Sequence, residues 1–548
     1  MLVTVDMTDD PRFQKIGAKH IAIQARRQEP GFPEFSSKER GSIFRNEGAL
    51  VTTARQGWEG INLTRDIGSC TNCSMPTQYP RNLKNMGTKK GERKSNGRMF
   101  QFAWPSAFLR AAEGGGEYVV ATTGLEQKPL KCIDLFAGCG GLSLGLEQAG
   151  FEPLLFSEIN RQAAETYIAN RTGREIIPIG DIYQLTDLNL HLLKVYWEYK
   201  GIHDIDLVCG GPPCQGYSGI GHRRTFKLDK KDIPSNQLYK EMARVISAVR
   251  PRVFLFENVR GLLNSKWTKD GQNGEIFVDV LRTFKSIPGY SVRWELVHAK
   301  DYGVPQNRPR VLMVGIREDL LPVARQMALM ENGLVDPPSA VSHGYLPVHS
   351  GIPPSLEELL SDLVDPDYLG KSFTGQYVHS PMNDVQKTLR MNPDGHVRGV
   401  GTPVTEMEYS GHADYIREKF QHMIDHEGVI PEKYKTKKFA QRVLPQRWGE
   451  NGPNLTATSL PEDYVHFSQP RSPTVREWAR IQTFPDWYEF CGPRTTGGRR
   501  RAGDPSKGIW DRDVPRYTQI GNAVPVLLAY KVGLHLAGIL RGEIKPKT

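Results

Sequence analysis

The chain lacks the features that mark secreted, membrane and repeat proteins. No apolar run approaches the length of a membrane span, and Met1 to Asp10 has no signal-peptide pattern. The seven cysteines are an odd number scattered over 548 residues, which does not fit a disulfide framework. No internal repeat or heptad pattern is present. We therefore expect an intracellular protein, cytoplasmic or associated with the nucleoid, with no membrane partner.

Acidic residues are outnumbered by basic ones. The chain has 71 Lys and Arg against 61 Asp and Glu, a net charge of +10 and an isoelectric point near 9.1. This excess favours a polyanionic partner. Hydrophobic residues make up 39% of the chain, which is enough for a sizeable core.

The composition and the pattern of apolar residues divide the chain into four parts. Residues 1–125 are irregular, with only short apolar pieces. From 126 to 317, short apolar runs alternate with amphipathic stretches. Residues 318–470 are rich in Pro, Gly, His, Tyr and charges, and we expect a smaller, separate domain there. Apolar and helical texture returns over 471–548.

The second part predicts an α/β fold. Alternation of buried strands with helices, such as the helix predicted over 241–249, argues for a mostly parallel sheet covered by helices. The strand candidates are 131–136, 153–156, 176–179, 205–209, 253–256, 292–298 and 311–316.

A pair of cysteines in the first part has the spacing of half a zinc site. Cys70 and Cys73 are separated by two residues, but no second Cys/His pair lies nearby. We therefore predict no metal, and the role of residues 1–125 stays open.

Two prolines and a cysteine follow a buried strand in the stretch from Gly210 to Ser218. A strand that ends in a Gly/Pro turn puts the next side chain at the carboxyl edge of a sheet, where ligands bind in open α/β folds. Pro212 and Pro213 fix their own φ, and Pro213 also restricts Pro212. A half-buried loop cysteine is the ordinary alternative, but so stiff a tether favours Cys214 as a nucleophile.

A glycine turn follows the first strand, from Asp134 to Gly141. Glu158 closes the second strand and can accept both ribose hydroxyls of a bound nucleoside. Ser143 takes the place of the third glycine of the dinucleotide fingerprint, so the turn suits a nucleoside without a pyrophosphate. Asp181 follows the third strand and could accept a hydrogen bond from an adenine amino group.

Two further charged residues lie at strand ends. Glu257, beside an apolar strand end, can keep or deliver a proton, although a solvated carboxylate is the alternative. The alternation of Gln306, Arg308 and Arg310 sends these three side chains to one side of a strand. Arg310 can hold a carbonyl oxygen or a carboxylate in fixed geometry.

The segment from Gly216 to Asn236 is rich in glycine and basic residues, among them Arg223 and Arg224. A solvated loop is possible, but beside Cys214 a lid that closes over phosphates is favoured.

Taken in order, these motifs resemble those of the DNA (cytosine-5)-methyltransferases. The matching stretches are 134–141, Glu158, 180–182, 212–215, 257–259, 306–310, 471–485 and 521–525. They cover 131–316 and 471 to about 540, and any one of them could be chance, but all in this order are highly specific.

The resemblance implies the activity, a Rossmann-like fold and the residue roles. It implies methyl transfer from S-adenosylmethionine to C5 of a cytosine flipped out of specific double-stranded DNA, by a monomer, alongside a separate restriction endonuclease. Cys214 would be the nucleophile, Glu257 would engage N3 and Arg310 would hold O2. Residues 318–470 would be the target recognition domain, and 471–548 would return to the catalytic domain. The implied cofactor-binding residues are Phe136, Gly138, Gly140, Gly141, Glu158, Ile159, Asp181, Ile182, Leu238 and Asn522, and the predicted DNA-binding residues are Gln215, Ser218, Arg223, Arg224 and Arg308.

Three other functions were weighed against the sequence. The tRNA-methylating branch of the family usually carries a Cys-Phe-Thr motif, which is absent, and other RNA cytosine-5 enzymes have a second cysteine where this chain has Glu257. A non-catalytic DNA-binding regulator would not need Cys214, Glu257 and Arg310 together. An oxidoreductase is disfavoured by the missing third glycine. The recognised DNA sequence cannot be deduced from the residues.

Overall fold

The computed structural model describes residues 2–6, 20–24, 128–213, 233–321, 337–435, 442–444, 455, 463–495 and 513–547. Strand β1 (Leu2–Asp6) pairs antiparallel with β2 (His20–Gln24). Both strands contain the β-branched residues that favour extended backbone. They lie in the part predicted to be irregular, where that prediction is wrong for these ten positions.

A seven-stranded sheet forms the centre of the fold. The chain's further strands are β3 (Leu130–Leu135), β4 (Phe151–Ser157), β5 (Ile177–Ile179), β6 (Leu207–Gly210), β7 (Val253–Val259), β8 (Tyr290–His298), β9 (Pro309–Arg317), β10 (Arg442–Val443) and β11 (Tyr464–Val465). The sheet order is β5-β4-β3-β6-β7-β9-β8. The neighbours from β5 to β7 run parallel, whereas β9 is antiparallel to β7 and β8 is antiparallel to β9. The predicted mostly parallel, Rossmann-like sheet is confirmed.

Helices cover both faces of this sheet. The helices of the described chain are α1 (Gly141–Gln148), α2 (Arg161–Ala169), α3 (Asp187–Tyr199), α4 (Leu238–Val249), α5 (Glu275–Lys285), α6 (Leu356–Leu360), α7 (Asp384–Leu389), α8 (Asp414–Asp425), α9 (Val475–Ile481), α10 (Arg516–Asn522) and α11 (Val526–Leu540). Several begin at a polar cap. Asn160 accepts a hydrogen bond from the third residue of α2, and Thr474 and Glu477 form a capping box at the start of α9.

The two faces of the sheet belong to two apolar clusters, because alternate residues of a strand point to opposite faces. On β7, Phe254 and Phe256 pack with α3, α4 and α5. Val253 and Leu255 face the other way and pack with α1, α9 and α11. The C-terminal part of the chain therefore lies on the same sheet that the earlier part builds.

The predicted separate domain shares most of its core with the rest of the protein. Leu359, Val404 and Met407 belong to the same cluster as Trp478 of α9. A small cluster of its own surrounds Phe420 and Met423 of α8. The chain over 337–435 is thus anchored on α9, and the exact domain boundaries stay predictions.

The helical stretch Arg516–Leu540, which contains α10 and α11, is long and apolar enough to cross a membrane by length and composition alone. This differs from the expectation that no run approaches that length. In the folded protein 83% of its apolar window is buried. A helix that is apolar all round is typical of a protein core, and here α11 packs on α1.

Candidate functional site

The motif residues lie at one edge of the sheet. Strands β3 to β7 end there, whereas the antiparallel strand β9 begins there. Strands β3 and β6 are neighbours in the sheet although β4 and β5 lie between them in the chain. Such a reversal of strand order opens a crevice at the carboxyl ends, which is the usual ligand site of open α/β sheets.

The turn after β3 has an unusual backbone. Phe136 (φ 58°), Gly138 (φ 58°) and Gly140 (φ 86°) all lie in the left-handed region. Gly140 has no room for a side chain, because an added Cβ would lie 2.8 Å from Tyr488 Oη and 2.9 Å from Arg171 Nη1. At Gly138 an added Cβ would meet no described atom within 4 Å. The turn is therefore closely packed by protein atoms at Gly140, whereas no described atom lies close to the Cβ position of Gly138.

Two residues that the sequence analysis missed hold this turn. Arg171 Nη2 donates to the carbonyl of Gly140 at 3.3 Å, and its guanidinium pairs with Glu147 at 2.6 Å. Tyr488 Oη donates to the carbonyl of Cys139 at 2.6 Å. No local signal could have found either residue, because Arg171 lies in an ordinary loop and Tyr488 is more than 300 positions further along the chain.

The serine in place of the third glycine serves a buried carboxyl group. Ser143 Oγ donates to Asp134 Oδ2 at 2.5 Å and lies 2.8 Å from Tyr167 Oη. Cys209 Sγ donates to Asp134 Oδ1 at 3.7 Å. Burial raises the pKa of Asp134 to about 7, although the hydrogen bond from Ser143 and the charge of Arg171 oppose the rise. Ser143 thus fixes the start of α1 from beneath the turn.

Carboxylates follow β4 and β5. Glu158 accepts hydrogen bonds from the backbone N–H of Gly138 at 2.9 Å and of Asn160 at 2.7 Å. Burial raises the pKa of Glu158, and the two N–H donors oppose that rise. Asp181 is half-buried and caps a short 3₁₀ turn by accepting a hydrogen bond from the N–H of Tyr183 at 3.1 Å. Between them Ile159 is 74% exposed, which is unusual for so large an apolar side chain.

This arrangement fits the nucleoside part of the predicted cofactor. Carboxylate oxygens accept hydrogen bonds from ribose hydroxyls or an amino group. The exposed side chain of Ile159 offers an apolar contact for a base, and the open face above Gly138 lets a ligand approach the backbone. Of the other predicted cofactor residues, Ile182 is buried, Leu238 is half-buried and Asn522 is exposed.

Glu257 and Arg310 form an ion pair at the same edge. Arg310 Nε lies 2.5 Å from Glu257 Oε1, and the two side chains are 9% and 12% exposed. They meet because β7 and β9 pair antiparallel, with Glu257 opposite Leu312 and Val259 opposite Arg310. The sequence analysis predicts a site at each residue but not their contact. A low-dielectric setting of this kind strengthens the pairing.

The Pro-Pro turn lies against this pair. A Cβ added to Gly211 would lie 2.6 Å from Glu257 Oε2, so only glycine lets the carboxylate come so close to the turn. Asn258 Nδ2 donates to the carbonyl of Pro212 at 3.1 Å and fixes the turn from the neighbouring strand. The sequence predicts a site at 257–259 and another at the turn from Gly210 to Ser218, but it does not predict the contacts between them.

Several predicted residues lie outside the described ranges. They are the nucleophile candidate Cys214 and the predicted DNA contacts Gln215, Ser218, Arg223 and Arg224. The described chain stops at Pro213 and resumes at Ile233. Their roles stay predictions.

Arg308 lies where a direct contact with DNA has no support. Its side chain is buried, and its guanidinium donates to the backbone carbonyls of Leu455 and Gly521. Gln306 is buried beside it and contacts the same layer of the fold. The side chains of Gln306, Arg308 and Arg310 are all buried, and the first two contact the C-terminal part of the chain.

The chain matches known proteins over most of this fold. The family model for C-5 cytosine-specific DNA methylases matches residues 130–537. The type II methyltransferase M.DdeI of Desulfomicrobium norvegicum is 32% identical over 410 residues, which cover 73% of this chain and 86% of that protein. The type II methyltransferase M.BspRI of Lysinibacillus sphaericus is 31% identical over 431 residues, covering 75% and 82%.

A solved structure gives the same answer for the fold. A proposed DNA modification methyltransferase encoded within a prophage of E. coli superposes with a TM-score of 0.50 at 23% identity, covering 75% of this chain and 99% of that one. The family match runs from the first residue of β3 to residue 537, within α11. The chain therefore belongs to the C-5 cytosine-specific DNA methylase family and is a DNA cytosine methyltransferase.

Proposed function

We propose that this protein transfers a methyl group from S-adenosylmethionine to C5 of a cytosine flipped out of a specific double-stranded DNA sequence, through a covalent bond between Cys214 and C6. The observation that carries the proposal is the Glu257–Arg310 pair, which lies against the Pro-Pro turn that leads directly to Cys214. A carboxyl group, a guanidinium and a thiol on one rigid edge are what activation of a cytosine ring requires.

Each of the three side chains has a definite task in this chemistry. C5 of cytosine is too weak a nucleophile to take a methyl group unaided. Addition of the Cys214 thiolate to C6 makes C5 nucleophilic, while Glu257 engages N3 with a proton or hydrogen bond. After the methyl group is on C5, loss of the C5 proton and expulsion of Cys214 restore the aromatic ring. A free thiol titrates near ~8.5, so the site must favour the thiolate or deprotonate it on attack.

Arg310 is suited to hold O2 of the ring without releasing Glu257. A guanidinium has five N–H donors in a planar fork. Nε lies 2.5 Å from Glu257 Oε1 and Nη1 donates to the carbonyl of Pro309 at 2.8 Å, so among the described contacts the N–H groups of Nη2 are left for a carbonyl oxygen. Because charge develops on the ring during the addition, a cation fixed at this place stabilises the transition state.

S-adenosylmethionine, when bound, supplies the methyl group as a sulfonium. The residues suited to hold it are those of the glycine turn together with Glu158, Ile159 and Asp181. Glu158 would orient the ribose, Asp181 would accept from the adenine amino group, and Ile159 would cover the adenine face. These contacts would hold the nucleoside at the carboxyl ends of β4 and β5, which β3 separates from β6, the strand that leads to Cys214.

The substrate must leave the duplex before this chemistry, since the ring face is covered by stacking. Flipping costs a few kcal/mol. The basic segment 216–236 is suited to supply phosphate contacts that offset this cost, and residues 318–470 are suited to supply base contacts. We expect the protein to act as a monomer on DNA inside the cell.

Membership in a restriction-modification system is proposed from the relatives. M.DdeI and M.BspRI are both named type II methyltransferases, and this chain spans more than four-fifths of each. A protein of this kind would protect the cell's DNA from a separate endonuclease with the same target sequence.

Trapping of the covalent bond tests the proposal. Duplex DNA made with 5-fluorodeoxycytidine in place of deoxycytidine should form a denaturant-resistant complex with the protein and S-adenosylmethionine, because fluorine cannot leave as a proton does. Cys214→Ala should give no complex. Cys132→Ala, which removes a buried thiol from β3, should still give it. A complex with Cys214→Ala, or none with the natural protein, would refute the mechanism.

A further inference from the structure

Gln306 and Arg308 form hydrogen bonds with the backbone N–H and the backbone carbonyl of a single distant residue, Leu455. The N–H of Leu455 donates to Gln306 Oε1 at 3.2 Å, and Arg308 Nη1 donates to the carbonyl of Leu455. Leu455 is 0% exposed and lies in the predicted target recognition domain, about 150 positions from the two side chains. We call these three residues the Leu455 clamp.

The same two side chains also hold the C-terminal part of the chain. Gln306 Nε2 donates to Gln482 Oε1 at 2.7 Å and to the carbonyl of Ile481 at 3.2 Å. Arg308 Nη2 donates to the carbonyl of Gly521 at 2.6 Å. Three parts of the chain that are far apart in sequence therefore meet at two side chains next to the first residue of β9.

Burial of Arg308 is costly and is not needed for packing. Its side chain is 2% exposed, and among the described residues no carboxylate lies within ion-pair distance of it. Burial and the nearby charge of Arg310 lower the pKa of Arg308 well below its usual range. Buried cations without a carboxylate partner are rare in proteins. What the guanidinium offers that an apolar side chain cannot is a fork that spans two carbonyl oxygens.

The clamp is rigidly connected to the reacting residues. Arg310 follows Arg308 by two positions and pairs with Glu257 on the adjacent strand. Two positions along an extended chain bring side chains to the same side, about 7 Å apart. A displacement of Leu455 relative to the sheet would therefore change its position relative to Arg310.

We propose that Gln306 and Arg308 are positioning residues that couple target recognition to catalysis, by fixing the recognition domain at Leu455 to the strand that carries Arg310. The inference rests on the proposed function. With the clamp intact, base contacts at the target place the flipped cytosine in register with Glu257 and Arg310. Without the clamp, DNA still binds. The target sequence then no longer places the flipped cytosine against Glu257 and Arg310 better than a near-match sequence does.

Two variants and one control separate this role from other roles. Arg308→Lys retains the charge but cannot span the carbonyls of Leu455 and Gly521. Gln306→Met retains the length and removes the polar atoms. The control is Arg252→Lys, since Arg252 also joins the sheet to the C-terminal part, donating to the carbonyl of Leu540 at 2.7 Å from the opposite end of β7.

The substrate is plasmid DNA from a host without cytosine methylation, treated with each protein and S-adenosylmethionine and then bisulfite-sequenced over time. The natural protein defines the target as the sequence methylated fastest. Rates are expressed per correctly folded molecule, so loss of stability alone does not change the ratio between target and near-match rates.

We expect Arg308→Lys and Gln306→Met to lower the methylation rate at the target roughly 10- to 100-fold, because each variant loses hydrogen bonds to two parts of the chain. We also expect the ratio of the target rate to the near-match rate to fall about 10-fold. Arg252→Lys should keep both values. If Arg308→Lys and Gln306→Met retain the ratio of the natural protein, the coupling is refuted and the clamp only stabilises the fold. If Arg308→Lys behaves as the natural protein in every respect, a point-charge contact with phosphate replaces the clamp for that residue. If the natural protein itself forms no 5-methylcytosine, the proposed function fails instead.

Discussion

Glu158 joins the end of β4 to the glycine turn through its two backbone hydrogen bonds. Glu158→Ala should weaken binding of S-adenosylhomocysteine roughly 10- to 100-fold, because a charge-assisted pair of hydrogen bonds contributes about 1.5–3 kcal/mol. Titration calorimetry measures the change. Glu152→Ala is the matched control on β4, because Glu152 pairs with Lys131 at the surface, away from the turn. Unchanged affinity in Glu158→Ala would contradict the assignment of this carboxylate to the ribose.

Asp134 makes the stability of the protein depend on pH in an unusual direction. Its pKa is about 7 in the folded protein against an ordinary value of 3.8. Between these values the unfolded chain releases a proton that the folded chain keeps, so this group's contribution to the free energy of unfolding falls as pH rises from about 4 to about 7. Asp134→Asn removes the titration but retains a hydrogen-bond acceptor for Ser143.

The unfolding free energies of Asp134→Asn and the natural protein should be measured between pH 5 and pH 8. As pH rises, the value for Asp134→Asn should increase relative to that of the natural protein, by an amount on the order of a few kcal/mol. Glu198→Gln, at an exposed position near the end of α3, serves as control and should show a constant difference. A constant difference for Asp134→Asn as well would mean that the carboxyl group is not buried as described.

A residue can be proposed for the site from sequence where its side chain has a local signature. Glu158, Asp181, Glu257 and Arg310 each adjoin a strand end, and a strand end can be recognised from an apolar run followed by glycine, proline or a charge. A residue such as Arg171, which holds the glycine turn through the carbonyl of Gly140, has no local signature, because the two residues come close only in the folded chain. The burial of Arg308 has no local signature either, because its partners Leu455 and Gly521 lie about 150 and 210 positions further along the chain.

Helix α9 is attached to the chain over 337–435 by a fully buried network of charges. Arg480 contacts Asp362 at 2.5 Å and Asp486 at 2.6 Å, and Asp362 also contacts Arg390 at 2.7 Å. All four side chains are 0% exposed. Two positive and two negative charges balance, and Tyr377 donates a further hydrogen bond to Asp486 at 2.6 Å. Removal of one member leaves an uncompensated buried charge.

Asp362→Asn should lower the free energy of unfolding by about 3–5 kcal/mol, the usual consequence of breaking a buried ion pair on one side. Asp384→Asn offers the same substitution in an exposed pair with Lys387 and should cost less than about 1 kcal/mol. Chemical denaturation of the two variants in parallel gives the comparison. Equal effects would show that the network does not hold α9 to the chain over 337–435.

At the level of elements, the sequence predicted every strand of the large sheet to within a few residues. The predicted end of β7 falls short, at 256, because apolar character stops there, whereas the ladder with β9 continues to Val259. The architecture of 337–435 was not predicted from the sequence. Its short helices and isolated bridges have no periodicity long enough to detect, and part of their apolar surface packs on α9.

The whole molecule should not need its first part for activity. The family match begins at residue 130, and β3 pairs with β4 and β6, which both follow it in the chain. Deletion of residues 1–120 should therefore leave a folded enzyme with at least about half of its methylation rate. Deletion of residues 1–140 is the control, because it removes the central strand and should abolish folding. An insoluble or inactive product of the shorter deletion would place the first part within the catalytic unit.

The central claim is that the protein methylates C5 of cytosine in DNA with Cys214 as its nucleophile. The most direct test is mass spectrometry of nucleosides from unmethylated plasmid DNA after incubation with the protein and S-adenosylmethionine carrying a deuterated methyl group. The account predicts deuterated 5-methyldeoxycytidine as the product, and none from Cys214→Ala. Methylation of another base or another ring position, or undiminished 5-methylation by Cys214→Ala, would contradict it.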